Sequence, residues 1–395
     1  MKSRNTVFLI KTMLGGGAER VISLISRAAV QSGNNVTLIL THQSKSEAVL
    51  DNIDGRINVV SLPDELKKQK SSEFIPKIIM LLARLAGKIG FREKSLMMKY
   101  LSRNYSCVQW LKQYFVKYNI STAVAFLYDS IFLTLLAKNK NTKVIISERG
   151  DPQQSSDSKT TMALIKNLFP KADDFVFQSP DVQEWYKQNT PVRGKVIFNP
   201  IKPDLPEPYC GERKKRIVNF CRISAQKNLI MLADAFAEFR KDFPDYELDI
   251  IGDPVGNNAD GYIDSVVEHI RKTDCEDCIH ILPAIKDIHS VINDYAMFVS
   301  SSDFEGMSNS MLEAMAMGLP CVCTDCPAGG ARAVIKDGEN GMLTPVGDSH
   351  ALYLAMKKVI ENPDLAEKLS ENAVKIRETQ SAEKITEEWM ELING

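Results

Sequence analysis

Two glutamates, Glu305 and Glu313, close the ends of EGMSNSMLE, and an apolar run, AMAMG, follows at once. A carboxylate without a partner is costly to bury, so acids beside an apolar helix need an explanation. Glu313 has two. It can accept hydrogen bonds from ligand hydroxyls, or it can close a capping box with Ser310 at a helix start near Ser308 to Ser310. Upstream, RISAQKN carries Arg222 and Lys227 on one loop. A forked guanidinium and a point-charge ammonium together suit a diphosphate, although two solvated surface cations would read the same. Near the start, LGGGAER leads from a strand into a helix, where free backbone N–H groups attract anions. If Gly15 and Gly17 opened G-x-G-x-x-G, Arg20 would fill the third glycine position. It is therefore no dinucleotide fingerprint, and a plain tight turn remains open.

These stretches need strands to hold them. TVFLI, a helical pattern through VISLISRAAVQSG, and NVTLIL make a βαβ unit. Apolar runs recur at TAVAFL, KVIIS and DDFVFQS, with helical stretches between them. Strands apolar on both faces read as a parallel sheet covered on both sides. The segment GKVIFNPIKPDLPEPYCGERKKR holds Pro200, Pro203, Pro206 and Pro208 and reads as a linker. The pattern then restarts with RIVNFC, a helix through LIMLADAFAEFRKDF, ELDIIG, IHILP, MFVSS and PCVCT. Two doubly wound α/β domains follow, dividing near residue 200. In such sheets ligands sit outside the carboxyl ends of strands, where the chemistry-bearing loops fall. The last helix, SAEKITEEWMELING, puts Ile385, Trp389 and Leu392 on one face and should dock on something.

Composition narrows the partners. At 395 residues, 25% charged and 44% hydrophobic, the chain reads as a soluble protein with sizeable cores. A net charge of −1 argues against bulk nucleic-acid binding. The start lacks a signal-peptide pattern, because Lys11 ends the apolar VFLI, so the eight cysteines are expected as cytoplasmic thiols. Cys275-x-x-Cys278 and Cys323-x-x-Cys326 lie too far apart for a zinc ribbon, and the five histidines show no ligand spacing.

Charge is uneven between Leu66 and Arg103. Lys67, Lys68, Lys70, Lys77, Arg84, Lys88, Arg92, Lys94, Lys99 and Arg103 face only Glu73 and Glu93. Ile75, Ile78, Ile79, Leu82, Ala86 and Ile89 share one helical face there. Residues 66–103 can therefore lie on an anionic membrane, or pack that face on the first domain.

In chain order, GGGAERV, ISERGDP, IFNP, RISAQKN, IIGDP, EGMSNSMLEAMAMGLP and DCPAGGARAVIKDGENGML resemble the family 4 retaining glycosyltransferases of the GT-B fold. That group makes bacterial surface polysaccharides. The resemblance spans nearly the whole chain and is strongest over residues 216–345. It implies an α/β fold of two doubly wound Rossmann-like domains facing across a cleft. Residues 1–199 would bind the acceptor, 200–375 would bind the nucleotide-sugar donor, and a C-terminal helix, 376–395, would pack back on the first domain.

The resemblance also implies roles. Glu305 would lie beside the donor sugar, Glu313 would accept from the ribose hydroxyls, and Arg222 and Lys227 would hold the diphosphate. Glu305, Arg222 and Lys227 form the catalytic set. Gly16 and Gly17 would approach the leaving phosphate, and the amides of Met307 and Ser308 would lie near the sugar and the diphosphate. Asp253, Ile285, Gly306 and Asn309 complete the donor-binding set. Tyr128, Asp129 and Arg149, at strand ends, are the acceptor-side candidates. Cys221 replaces the family's usual glycine, Met307-Ser308 its Phe-Pro, and Arg149 stands where many relatives carry a histidine.

The implied reaction moves a hexosyl or N-acetylhexosaminyl unit, with retention, from a UDP-sugar to a glycan or polyprenyl-diphosphate-linked saccharide. It needs no metal or other cofactor, and it would run in the cytoplasm at the inner face of the membrane. A sugar-nucleotide epimerase on the same fold and a non-catalytic nucleotide-sugar-binding subunit are the rival readings.

Overall fold

Short runs of β-branched and aromatic residues with no polar alternation become central parallel strands, because both of their faces are covered. The computed structural model describes residues 4–14, 16–51, 53–68, 74–156, 158–254 and 261–395. Gly15, Lys70 and Glu73 lie outside the described residues. The chain divides into two compact units: Met1–Phe198 with Glu383–Gly395, and Asn199–Ala382.

The first unit holds β1 (Asn5–Ile10), β2 (Asn35–Leu40), β3 (Asn58–Ser61), β4 (Thr122–Phe126), β5 (Lys143–Ser147), β6 (Asp174–Phe177) and β7 (Gly194–Val196). They form one parallel sheet in the order β3-β2-β1-β4-β5-β6-β7. The second unit holds β8 (Lys214–Phe220), β9 (Glu247–Ile251), β10 (Ile279–Leu282), β11 (Tyr295–Ser300), β12 (Cys321–Thr324) and β13 (Met342–Thr344). Its parallel order is β10-β9-β8-β11-β12-β13. In each sheet the chain winds outward from a central strand, then returns to that strand's other side. The resulting switch points lie between β1 and β4, and between β8 and β11.

Three strands depart from the sequence reading. The supposed linker begins with β7, whose Gly194 lies against the backbone; a Cβ there would stand 1.9 Å from the Phe175 carbonyl oxygen. The prolines start only after the strand ends. β3 and β13 are four and three residues long, too short to show periodicity, and each closes a sheet edge.

The C-terminal helix, Ala382–Asn394, packs in the first unit. Ile385, Trp389 and Ile393 are fully enclosed in a core with Phe8, Val124 and Phe126, while Leu392 is only partly buried. The buried stripe thus runs i, i+4, i+8. Its last carbonyls are met by Thr122 Oγ1 on Ile393 (3.3 Å) and Lys143 Nζ on Leu392 (2.7 Å). Residues 376–382 stay with the second unit, where Ile376 is buried and Arg377 donates to the carbonyl oxygens of Ala316 and Pro206.

The basic segment forms a hairpin of two helices, Phe74–Lys88 and Arg92–Arg103, turning at Gly90 with φ +93°. Ser95 and Ser102 donate to the carbonyl oxygens of Ala83 and Pro76, each at 2.7 Å, and so bind the two helices together. The apolar stripe does not pack on the rest of the unit among the described residues. Ile75, Ile78, Leu82 and Ile89 are exposed, Ile89 by 70%, and Phe74, Leu81 and Leu85 extend the stripe. Ile79 and Ala86 are half-buried. Among the described residues, no helix is long and apolar enough to cross a membrane.

Candidate functional site

β8 and β11 are neighbours whose carboxyl ends flank the second unit's switch point, and two loops grow from them. The first runs from Cys221 through a 3-10 turn, Ala225–Lys227, to Asn228. Asn228 adopts a left-handed conformation (φ 43°), and its side chain caps the helix Leu229–Asp242 by accepting from Met231 N at 3.2 Å. The second runs from Ser301 to Ser308. Four hydrogen bonds lace the two. Asn228 donates to Asp303 Oδ1 (2.7 Å), Gln226 to the Phe304 carbonyl (2.8 Å), Asp303 N to the Gln226 carbonyl (3.0 Å), and Ser301 Oγ to the Lys227 carbonyl (2.8 Å).

That lacing brings Lys227 Nζ onto Glu305 Oε2, with the lysine side chain 12% exposed. Burial alone would depress the Lys227 ammonium, but the Glu305 carboxylate outweighs it and holds its pKa above the ordinary value. Arg222 is exposed on the same loop and makes no hydrogen bond or ion pair with the described residues. Burial pushes the neighbouring Cys221 thiol up to about 11. This is no activated nucleophile.

After Glu305 the chain is held from both sides. Gly330 lies so close that a Cβ on it would stand 1.6 Å from the Gly306 carbonyl oxygen. Asn199 Nδ2 donates to the Met307 carbonyl (3.3 Å) and to Asn309 Oδ1 (2.8 Å). The helix Asn309–Ala316 is capped by Ser308, whose side chain accepts from Met311 N. Glu313 therefore sits beyond the capping positions, and the Ser310 capping box does not form. Instead its Oε2 meets His289 Nε2 at 2.7 Å, both side chains 6% exposed. Past the end of β9, Asp253 is exposed and accepts from Ala284 N at 3.1 Å, bringing the loop with half-buried Ile285 alongside.

Lys227 and Glu305 thus touch, and Met307 to Asn309 form one fixed turn. His289, Asn199, Asn228 and Asp303 were missed by sequence reasoning. His289 lies 24 residues from Glu313, and no spacing rule links them. Cys278 Sγ donates to the Cys275 carbonyl at 3.3 Å, and among the described residues no three His, Cys, Asp or Glu could together hold a metal ion.

The first unit's switch point is built separately. Gly16 precedes the helix Gly17–Gln31, and a Cβ on it would stand 2.4 Å from the Glu19 carboxylate. Across the switch, Leu127 takes φ +67°, a strained conformation for a leucine, to open the helix Tyr128–Ala137. Asp129 pairs with Lys11 at 2.8 Å, and the hydroxyls of Tyr128 and Tyr186 meet at 2.8 Å. Arg149 donates to Ser147 Oγ (3.1 Å) and lies 5.1 Å over the Phe126 ring; burial draws its pKa down to about 10. Next to it, burial pushes the Glu148 carboxyl up to about 7, against two backbone N–H donors and the Arg149 charge. Lys11 and Tyr186 had no motif to announce them, and Glu148 lay within ISERGDP without being singled out.

Known proteins match this architecture. Residues 207–376 fit the family model described as glycosyl transferases group 1. An N-acetylgalactosamine-N,N'-diacetylbacillosaminyl-diphospho-undecaprenol 4-alpha-N-acetylgalactosaminyltransferase of Campylobacter jejuni is 26% identical over 272 residues, covering 65% of this chain and 72% of that protein. A poly(glycerol-phosphate) alpha-glucosyltransferase of Bacillus subtilis is 28% identical over 181 residues, covering 46% of this chain and 26% of that protein. Anabaena HepE, solved in complex with UDP and glucose, superposes with a TM-score of 0.77 at 17% identity, covering 99% of both chains. The matched segment lies within the second unit, and the fold is that of the GT-B glycosyltransferases.

Proposed function

We propose that the chain transfers a hexosyl or N-acetylhexosaminyl unit from a nucleotide sugar, a UDP-sugar, onto a glycan or polyprenyl-diphosphate-linked saccharide, with retention, as in family 4. The observation that carries this reading is the partly buried Lys227–Glu305 pair at the β8/β11 switch point, with exposed Arg222 on the same loop. A lysine ammonium has three donors, so Lys227 can hold Glu305 and still meet a phosphate oxygen. Arg222 supplies the second cation, and the two neutralise charge as the diphosphate departs. The amides at the start of Asn309–Ala316 face the same region, and Glu313, steadied by His289, takes the ribose diol.

In this reading the acceptor attacks from the face the diphosphate leaves, and the diphosphate oxygen takes the hydroxyl proton. Residues 1–199 bind the acceptor, with Tyr128, Asp129 and Arg149 as its contacts, while Gly16 and Gly17 approach the leaving phosphate. The Campylobacter relative's named substrate is a diphospho-undecaprenol saccharide, and the HepE structure holds UDP and glucose, which supports a lipid-linked acceptor and a UDP donor. The exposed apolar and basic hairpin supports work at an anionic membrane on the cytoplasmic side.

Incubating the protein with a panel of UDP-sugars and a polyprenyl-diphosphate disaccharide tests this. A glycosylated lipid with an anomeric configuration matching the donor, formed in EDTA, is the expected product. An epimerised nucleotide sugar, or nucleotide binding without transfer to any acceptor, would replace this reading with one of its rivals.

A further inference from the structure

A groove in the first unit lies at the opposite end of the sheet from the switch point. Asn5, Asn35 and Asn58 are the first residues of three adjacent strands, β1, β2 and β3, and all three line it. Its volume is about 570 Å³, within the range of small-ligand sites, roughly 300–1,000 Å³. β1 alone separates it from the strands' carboxyl ends by about 17 Å.

The second wall is the helix Tyr105–Lys117. Trp110, Tyr114 and Tyr118 follow one another up its face, with ring centroids 4.8 and 4.4 Å apart. Tyr118 is 45% exposed, and Gln113 is exposed beside it. The polar groups form a chain across the floor. Asn35 donates to Asn5 Oδ1 (3.0 Å), Asn5 to the Tyr118 carbonyl (2.7 Å), and the Tyr114 hydroxyl to Thr37 Oγ1 (3.3 Å).

Charge at this groove is already matched. Arg56 is held by Asp54 through two bonds, at 3.0 and 2.7 Å, and Glu65 by Lys68 at 2.6 Å. Lys117 remains as a donor at the rim, 5.1 Å from the Tyr118 ring centroid. A nucleotide or phosphate would find little unmatched positive charge here. Carboxamides both donate and accept, as sugar hydroxyls do, and an aromatic wall suits the apolar face of a pyranose.

We infer that this groove is a second saccharide-binding site, for a short neutral oligosaccharide, separate from the donor site. Its use, holding a length of glycan while chemistry proceeds elsewhere, rests on the transferase reading; its binding does not.

The test is a glycan array of neutral and acidic oligosaccharides probed with the full chain in saturating UDP, followed by calorimetry of the best neutral ligand. Gln113→Ala with Tyr118→Ala should weaken that ligand about tenfold, and Asn35→Ala severalfold, with UDP affinity unchanged. All three substitutions are at exposed positions, and unchanged melting curves verify the fold. Absence of any neutral ligand, a preference for acidic ones, or binding that survives the substitutions overturns the assignment. Loss of UDP binding in wild-type protein would instead overturn the donor-site reading and leave this one standing.

Discussion

The Glu313 carboxylate meets the His289 ring at 2.7 Å, and both side chains are almost wholly enclosed. The ring in turn stands edge-on to Phe220, 5.9 Å between centroids, at the end of β8. The carboxylate is thus aimed by a ring packed at the end of β8, which a helix surface alone would not achieve. Glu313→Ala should weaken UDP binding by about ten- to a hundredfold, since a charged hydrogen bond contributes roughly 1.5–3 kcal/mol. His289→Gln keeps a donor near the carboxylate and should retain most of the affinity. Calorimetry with UDP decides it. If Glu313→Ala binds UDP normally and merely melts lower, the glutamate serves only His289.

Glu305 is the counter-charge of a buried ammonium, which changes what its removal should do. In Glu305→Gln the Lys227 ammonium loses its partner in the free protein, at a cost of up to about 3–5 kcal/mol for a buried pair broken on one side. A bound diphosphate can replace the lost charge. The variant should therefore melt several degrees below wild type when free, yet gain more than wild type from added UDP, while transfer falls sharply. Melting curves with and without UDP measure both. An equal UDP shift in the two proteins would mean that Lys227 does not meet the diphosphate.

What the sequence made legible followed from local rules. Runs such as TVFLI and KVIIS are apolar on both faces, so their place in buried parallel sheets could be read directly. The spacing of Glu305 and Glu313 was enough to put one in a loop and the other within a helix. Pairings across the fold were not legible. Nothing in the order of residues joins His289 to Glu313, or turns Lys227 toward Glu305. Periodicity showed that the hairpin had an apolar face, but could not show what covers it. The prolines after Val196 hid β7, because breaker residues mark a boundary only to within a few positions.

Glu148 gives a pH signature that its neighbours sharpen. Its carboxyl is raised from 4.5 to about 7, chiefly by burial, and it faces Arg149 on its own loop and Tyr186 from the adjacent helix. The native state thus holds this proton more tightly than the unfolded chain does. Its contribution to stability is complete below pH 4.5 and is lost as pH rises to about 7, a change of ~3 kcal/mol. Glu148→Gln, neutral at every pH, escapes that loss, and Asp151, raised by burial as well, is present in both proteins. The variant should melt above wild type at pH 8 by several degrees and close to it at pH 5. A difference independent of pH would show that Glu148 is charged in the folded protein.

The exposed hairpin separates two contributions to membrane binding by their size. Burying one leucine or isoleucine contributes about 1.5–3 kcal/mol, whereas one lysine or arginine near an anionic surface contributes about 1 kcal/mol. Ile78, Leu81 and Leu85 all face outward on one helix, so converting all three to glutamate should abolish cosedimentation with phosphatidylglycerol vesicles, even at low salt. Reversing the charge of Lys88, Arg92 and Lys94 should weaken it partially, and most at low salt, because added ions screen charges but not apolar contact. Size-exclusion chromatography without vesicles checks the other occupant of such a stripe, a second copy of the chain. A dimer that the three glutamates split, with vesicle binding unchanged in the same variant, would assign the stripe to self-association rather than to lipid.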